Sequence, residues 1–146
     1  MTVYLSGNKV AKQITKHFPE VVAEVSDGVI LVKSGSIFDV AEYLKSHPEF
    51  DFNYLNHITA VDYYNYLEVI YQLTSLPHNH SLVLKTRCYD RNNAVIPSVV
   101  SLWRGADFQE REIYDLVGIS FERHPNLKRI FLWKGFQGHP LRKDYL

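Results

Sequence analysis

Residues 54–88 read YLNHITAVDYYNYLEVIYQLTSLPHNHSLVLKTRC. Tyr54 to Tyr63 and Tyr66 to Leu73 are rich in β-branched and aromatic residues, which fit a pleated, half-buried surface. Only Tyr64-Asn65 separates them, short enough for a tight turn. Pro77-His78-Asn79-His80 reads as a loop. Beyond it Leu82, Leu84, Thr86 and Cys88 alternate with Val83, Lys85 and Arg87, the pattern of a strand with one wet face. Strands joined this closely predict an antiparallel or mixed sheet with helices packed on it.

Upstream, Leu5 to Phe18 reads as an amphipathic helix: Val10, Ile14 and Phe18 are spaced by four, Ser6 stands at a cap position and Pro19 fits a stop. Val21 to Val25 and Val29 to Val32 flank Ser26-Asp27-Gly28, and Asp-Gly between two such runs signals a hairpin. Ile37 to His47 carries Ile37, Val40, Ala41 and Leu44 at helical spacing, with Ser36 at a cap position and Pro48 as the stop. The expected class is α+β, with a mixed, mainly antiparallel sheet.

Downstream, Asp90-Arg91-Asn92-Asn93 marks a turn and Val95 to Trp103 reads as a last strand. Then comes ADFQEREIYDLVG, Ala106 to Gly118, the densest run of charge. Asp107 fits a helix cap, with Glu110 three residues on to complete a capping box. Gly118 suits the left-handed residue after the helix. Ile113, Leu116 and Val117 share a face that would bury. Arg111 and Asp115 stand four apart, and a surface pair between them contributes only about 0.3–0.5 kcal/mol. After Gly118 neither helical nor alternating periodicity is visible, and Pro125, Gly135, Gly138 and Pro140 punctuate the chain. Two regions are expected: an α+β domain over 1–118 and an extended, irregular docking tail over 119–146.

The chain has 146 residues and a formal net charge of zero, so nothing global points to nucleic acid or an anionic membrane. The balance hides an asymmetry. The tail carries Arg123, Lys128, Arg129, Lys134, Arg142 and Lys143 against Glu122 and Asp144, so a basic end sits on an acidic body. One cysteine, Cys88, cannot close an intrachain disulfide or hold an iron–sulfur cluster alone, and reads as a small core residue in a reduced compartment. MTVYLSGNKVAKQ has no apolar signal-peptide core, and no run approaches the ~20 apolar residues of a membrane span. Membrane contact is therefore expected only through a partner.

No G-x-G-x-x-G or P-loop occurs, which argues against a flavin or nicotinamide site on this chain. Glu110 and Glu112, two apart, point about 200° apart on a helix and cannot form a carboxylate dyad. A structural or partner-binding use of this charge outweighs acid–base catalysis, which needs a cleft and a shifted pKa. His78 and His80 have a spacing that can hold a metal, but no third ligand is near, so solvated loop histidines are the simpler reading. His124-Pro125 and His139-Pro140 place each His on fixed, extended backbone, as anchors rather than catalysts. Phe121, Phe131, Trp133, Phe136 and Tyr145 interleave with the tail's cations. Such a mixture suits single-stranded nucleic acid or a protein interface, and zero net charge with no nucleic-acid motif favours the interface.

The run from Pro97 to Ile130, PSVVSLWRGADFQEREIYDLVGISFERHPNLKRI, resembles the signature of the C-type (30 kDa-type) subunit of proton-pumping NADH:quinone oxidoreductase, respiratory complex I. Trp103, Ala106-Asp107-Phe108, Glu110-Arg111-Glu112, Asp115, Gly118-Ile119, Phe121, His124-Pro125, Leu127 and Arg129-Ile130 carry it, and Gly138-His139-Pro140-Leu141-Arg142-Lys143-Asp144-Tyr145 continues it. Ile58 to Tyr63 and Leu67 to Leu73 look like the family's earlier strands, while residues 1–49 match only in layout. Asp107-Phe108-Gln109 and Arg123-His124 lean toward the J-type subunit of the photosynthetic, ferredoxin-dependent version. The resemblance implies a structural subunit of the hydrophilic arm without catalytic residues or cofactor of its own. FMN and iron–sulfur clusters belong to partner subunits that pass electrons from NADH to quinone, coupled to proton translocation. The chief partner would be the D-type subunit, a relative of the hydrogenase large subunit. The place would be the cytoplasmic face of the cell membrane, as a peripheral part of the complex. The matched residues expected to act in docking or structure are Asp107, Glu110, Arg111, Glu112, Asp115, Gly118, His124, Pro125, Arg129, His139, Pro140, Arg142 and Lys143. Alternatives are the same subunit in a ferredoxin-dependent or membrane-bound hydrogenase complex, or a stand-alone enzyme using Glu110, Tyr114 or His124.

Overall fold

The computed structural model describes residues 3–130 and 137–143. The aromatics Phe131, Trp133, Phe136 and Tyr145 of the tail lie outside the described residues, as do Lys134 and Asp144. In chain order the elements are β1 (Val3–Tyr4), α1 (Gly7–His17), β2 (Val22–Ser26), β3 (Val29–Lys33), α2 (Ile37–Ser46), β4 (Tyr54–Asp62), β5 (Leu67–Ser75), β6 (His80–Cys88), β7 (Val95–Pro97), α3 (Ala106–Val117) and β8 (Ser120–Glu122). The fold is α+β, as the sequence pattern predicts.

The main sheet runs β2-β3-β6-β5-β4, with β1 also on β6. Its three hairpin pairings are antiparallel; β3 and β1 join β6 in parallel, which makes the sheet mixed. Alternation sets which face is dry. Leu67, Val69, Tyr71 and Leu73 of β5 and Leu82, Leu84, Thr86 and Cys88 of β6 are buried together with Ile14, Ile37, Leu44 and Ile113 from the helices. On the other face, Glu68 is held by Lys85 at 3.3 Å and Arg87 at 2.9 Å, and Arg87 also covers the Tyr66 ring at 4.2 Å. Burial pushes the Cys88 thiol up to about 11, which suits a core residue.

Several expectations need correction. Ser6 and Ser36 stand at cap positions but make no side-chain cap hydrogen bond. The strand expected over Val95 to Trp103 stops at Pro97, which has no N–H for a ladder. The Ser98 N–H makes the last bond to the neighbouring strand, at Glu122 O, 2.8 Å, and the Val99 N–H leaves the ladder for Glu110 Oε2 at 2.9 Å. The chain then turns so that Trp103 enters the core, its indole donating to Phe52 O at 3.2 Å. β7 pairs instead with β8 in a small parallel sheet, joined through α3 as parallel strands require. β8 is three residues long, too short to show as periodicity. His78 lies on an exposed turn as expected, whereas His80 is buried at the start of β6, and neither ring is idle. Their Nε2 atoms donate to Pro48 O and Phe50 O, each at 2.8 Å, and tie the α2–β4 connection to the start of β6. Among the described residues no helix is long and apolar enough to cross a membrane.

Candidate functional site

Helix α3 starts two residues earlier than its charge pattern suggests. Gly105 takes the cap position and Asp107 lies inside the helix, so the expected capping box does not form. Glu110 points inward instead. It is fully buried, and accepts hydrogen bonds from Ser98 Oγ at 2.5 Å and the Val99 N–H at 2.9 Å. It thereby fixes the end of β7 to α3. Burial, partly offset by those two bonds, pushes its carboxyl up to about 7. Near it, burial raises the Tyr71 phenol well above its usual range.

The remaining charge forms a stripe. Asp107, Arg111 and Asp115 recur every four residues, so they share one face of α3. The chain after β8 runs along that face. His124 Nδ1 accepts the Asn126 N–H at 2.9 Å, which assigns its proton to Nε2. Nε2 lies 3.1 Å from the Asp107 carboxylate and 3.3 Å from its carbonyl oxygen. Arg111 Nε donates to Lys128 O at 3.3 Å, and its guanidinium covers the Phe108 ring at 5.2 Å. Asp115 Oδ1 accepts from Arg129 at 3.0 Å, and Oδ2 accepts the Ile130 N–H at 3.1 Å. The expected surface pair of Arg111 with Asp115 is thus replaced: Arg111 is 9% exposed and Asp115 fully buried, and both hold the tail.

The tail returns at the other end of α3. A helix leaves its last carbonyls without intrahelical donors. Gly118, at φ 84°, closes the helix by donating to Ile113 O and Tyr114 O, each at 3.1 Å. Residues 139–142 supply the other donors. His139 Nδ1 donates to Asp115 O at 3.0 Å, Leu141 N–H to Leu116 O at 2.8 Å, and Arg142 to Val117 O at 2.5 Å and Gly118 O at 3.2 Å. A cation at this end also suits the helix dipole. Arg129 reaches both limbs, since it donates to Gly138 O at 3.0 Å. Glycine is required at 118 twice over: its φ is left-handed, and a Cβ there would lie 2.6 Å from the His139 ring.

Asp62, a residue the sequence did not single out, completes the anchorage. It accepts from Arg91 through both carboxylate oxygens and from the Lys143 N–H at 2.8 Å. Hydrogen bonds from Arg91, the largest influence, hold its carboxyl well below the usual range. Its only sequence signal is a charge at the end of an otherwise uncharged strand. Gln109 is a second such residue: its Oε1 accepts the Ile58 N–H at 2.5 Å and so ties α3 to β4. Of the residues singled out from the sequence, Asp107, Arg111, Asp115, Gly118, His124, Arg129, His139 and Arg142 come together along α3. Glu112, Pro125 and Lys143 are exposed, and Pro140 is half-buried beside His139. Phe108 is 65% exposed one turn before Glu112. No cluster of three or more metal-ligating side chains occurs among the described residues.

The family of the respiratory-chain NADH dehydrogenase 30 kDa subunit matches residues 30–146. The chain belongs to this family. The stripe, its return limb and most of the sheet lie inside the match. A C-type subunit of NADH-quinone oxidoreductase from Rhizobium etli is 41% identical over 120 residues, which cover 80% of this chain and 63% of that protein. The C-type subunit from a Roseiflexus species is 41% identical over 118 residues, covering 79% and 67%. A probable mitochondrial NADH-ubiquinone oxidoreductase 30.4 kDa subunit from Candida maltosa is 38% identical over 142 residues, covering 95% and 51%. The matched part thus spans about two thirds or less of these relatives' length. A chain in the solved structure of the membrane-bound sulfane sulfur reductase, an archaeal respiratory membrane complex, superposes with a TM-score of 0.76 at 26% identity. That superposition covers 95% of this chain and 85% of the other.

Proposed function

We propose that this chain is the non-cofactor structural subunit of the hydrophilic arm of a proton-translocating NADH:quinone oxidoreductase. It supports assembly of a complex in which FMN and iron–sulfur clusters on partner subunits carry electrons from NADH to quinone. The supporting observation is the family match over a region whose charged residues are mostly committed to internal struts. Glu110, Arg111 and Asp115 are each bonded inside the chain, which leaves no paired acid and base open to a substrate. That weighs against acid–base catalysis by these side chains and for a rigid docking platform. The exposed remainder of the motif supplies the surface: Phe108 and Glu112 on the outer side of α3, and Arg123, Pro125, Lys128 and Lys143 along the tail.

The domain division follows the same reading: beyond β8, residues 124–130 and 139–142 bond along α3, and Arg123, Lys128 and Lys143 are exposed to meet the partner. The chief partner would be the D-type, hydrogenase-large-subunit-like protein, and the location the cytoplasmic face of the membrane, reached through the complex. Affinity purification of the tagged chain from native membranes tests this. Co-purification of NADH:quinone reductase activity with flavin and iron–sulfur absorbance is the expected result. Recovery of the chain as a free monomer would overturn it, and activity with reduced ferredoxin but not NADH would correct the donor.

A further inference from the structure

A sheet has two edges, and each offers a row of backbone groups to any passing strand. Here the edges are treated differently. At β4, Gln109 accepts the Ile58 N–H and α3 packs alongside, so that edge is closed. At β2 the cover is only partial: the start of α1 abuts β2 at Ser26, yet β2 pairs only with β3 among the described residues, and Ala23 to Ser26 are exposed. Ala23 bulges out of the β2–β3 register and has no partner in it. Between this edge and α1 runs a groove of about 420 Å³, walled by Asn8, Ala11, Lys12 and Thr15 of the helix and by β2. A strand edge beside a helix wall is the geometry that accepts an extended peptide by β-addition.

Charge decides the occupant. The sequence of α1, GNKVAKQITKH, holds three lysines and no acid, on a body that is otherwise net acidic. Lys9 is taken by Glu49 at 3.2 Å, while Lys12 and Lys16, four residues apart and exposed, have no ion pair among the described residues. The acid at the groove, Glu24, faces Arg87 at 3.9 Å. We infer that the β2–α1 groove takes an extended, acid-bearing segment of another subunit as an added strand next to β2. Backbone pairing along β2 would supply the binding, Ala23 and Val25 the apolar contact, and Lys12 and Lys16 the preference for acids.

This inference rests on the chain being part of a larger complex, and hydrogen exchange on the purified complex separates the two. If no complex is recovered, the reading of the chain as a subunit fails. If the complex forms, the amides of residues 22–26 are expected to exchange at least tenfold more slowly in it than in the isolated chain. Photo-cross-linking from position 25 should then capture an acidic stretch of another subunit. Lys12→Glu with Lys16→Glu leaves the buried face of α1 intact and should remove most of that protection at low salt. Ala23→Pro, at a position unpaired in the β2–β3 register, should block strand addition while keeping the hairpin. Equal exchange in the complex and the isolated chain overturns the inference. So does protection that appears in the isolated chain with rising concentration, which would make the occupant a second copy.

Discussion

Glu110 gives the sharpest quantitative test of the interior. Its carboxyl is fully buried, and burial raises its pKa from the ordinary 4.5 to about 7. Between those values the folded state holds a proton that the unfolded state has released. Stability therefore falls as pH rises through that window. The contribution is fully present below about pH 4.5 and is lost as pH passes about 7. A rise from 4.5 to about 7 corresponds to about 3 kcal/mol. Glu110→Gln keeps the shape and an acceptor for the Val99 N–H, but cannot ionise. At pH 4.5 variant and wild type should differ by no more than about 1 kcal/mol, the scale of one altered hydrogen bond. By pH 8 the variant should be the more stable by about 2–3 kcal/mol. Urea unfolding at constant ionic strength reads this directly, as a relative shift of the midpoint by about 1–2 M. Every other ionisable group is common to both proteins and cancels. Parallel stability curves for the two proteins across pH 4.5–8 would refute the assignment of a buried, neutral Glu110.

Three further outcomes follow from the anchorage along α3. Gly118→Ala should destabilise the chain by about 1–3 kcal/mol, because of its positive φ and the His139 ring, and thermal melting checks it. Asp115→Ala removes the acceptor of Arg129 and the Ile130 N–H, takes the carboxylate from a half-buried guanidinium and should cost about 3 kcal/mol; faster proteolysis within residues 119–143 would accompany it. The double variant Phe108→Ala/Glu112→Lys changes the outer side of α3, removing the ring over which Arg111 lies but none of the hydrogen bonds to the tail. It should leave the melting temperature within a few degrees and reduce co-purification of the partner subunits. Unchanged assembly would remove this face from the docking surface.

The strands and helices of the body were legible because burial imposes simple periods. Leu67, Val69, Tyr71 and Leu73 alternate, and Val10 and Ile14 fall a turn apart, so their faces can be read from the sequence. The start of β7 at Val95 was legible but its end was not, because Glu110 takes the Val99 N–H, and β8 was missed because three residues carry no period. The stripe on α3 was half legible. Spacing showed that Glu110 and Glu112 could not act together, and that Arg111 and Asp115 shared a face. Spacing could not show that this face is covered, because the covering chain lies 14 to 17 residues further along in each contact. The surface pair expected within α3 lost to a buried one, since a guanidinium and a backbone N–H from the tail satisfy Asp115 more completely than a solvated neighbour on the same helix. Asp62 escaped notice for the same reason: Arg91 and Lys143, its partners, lie 29 and 81 residues away.

The proposed role in the complex is tested most directly by deleting the gene in its native host and measuring NADH:quinone reductase activity in washed membranes. Loss of that activity and its return with the plasmid-borne chain are expected, together with no NADH oxidation by the purified chain alone. Membranes that keep full activity without the chain would contradict the proposal.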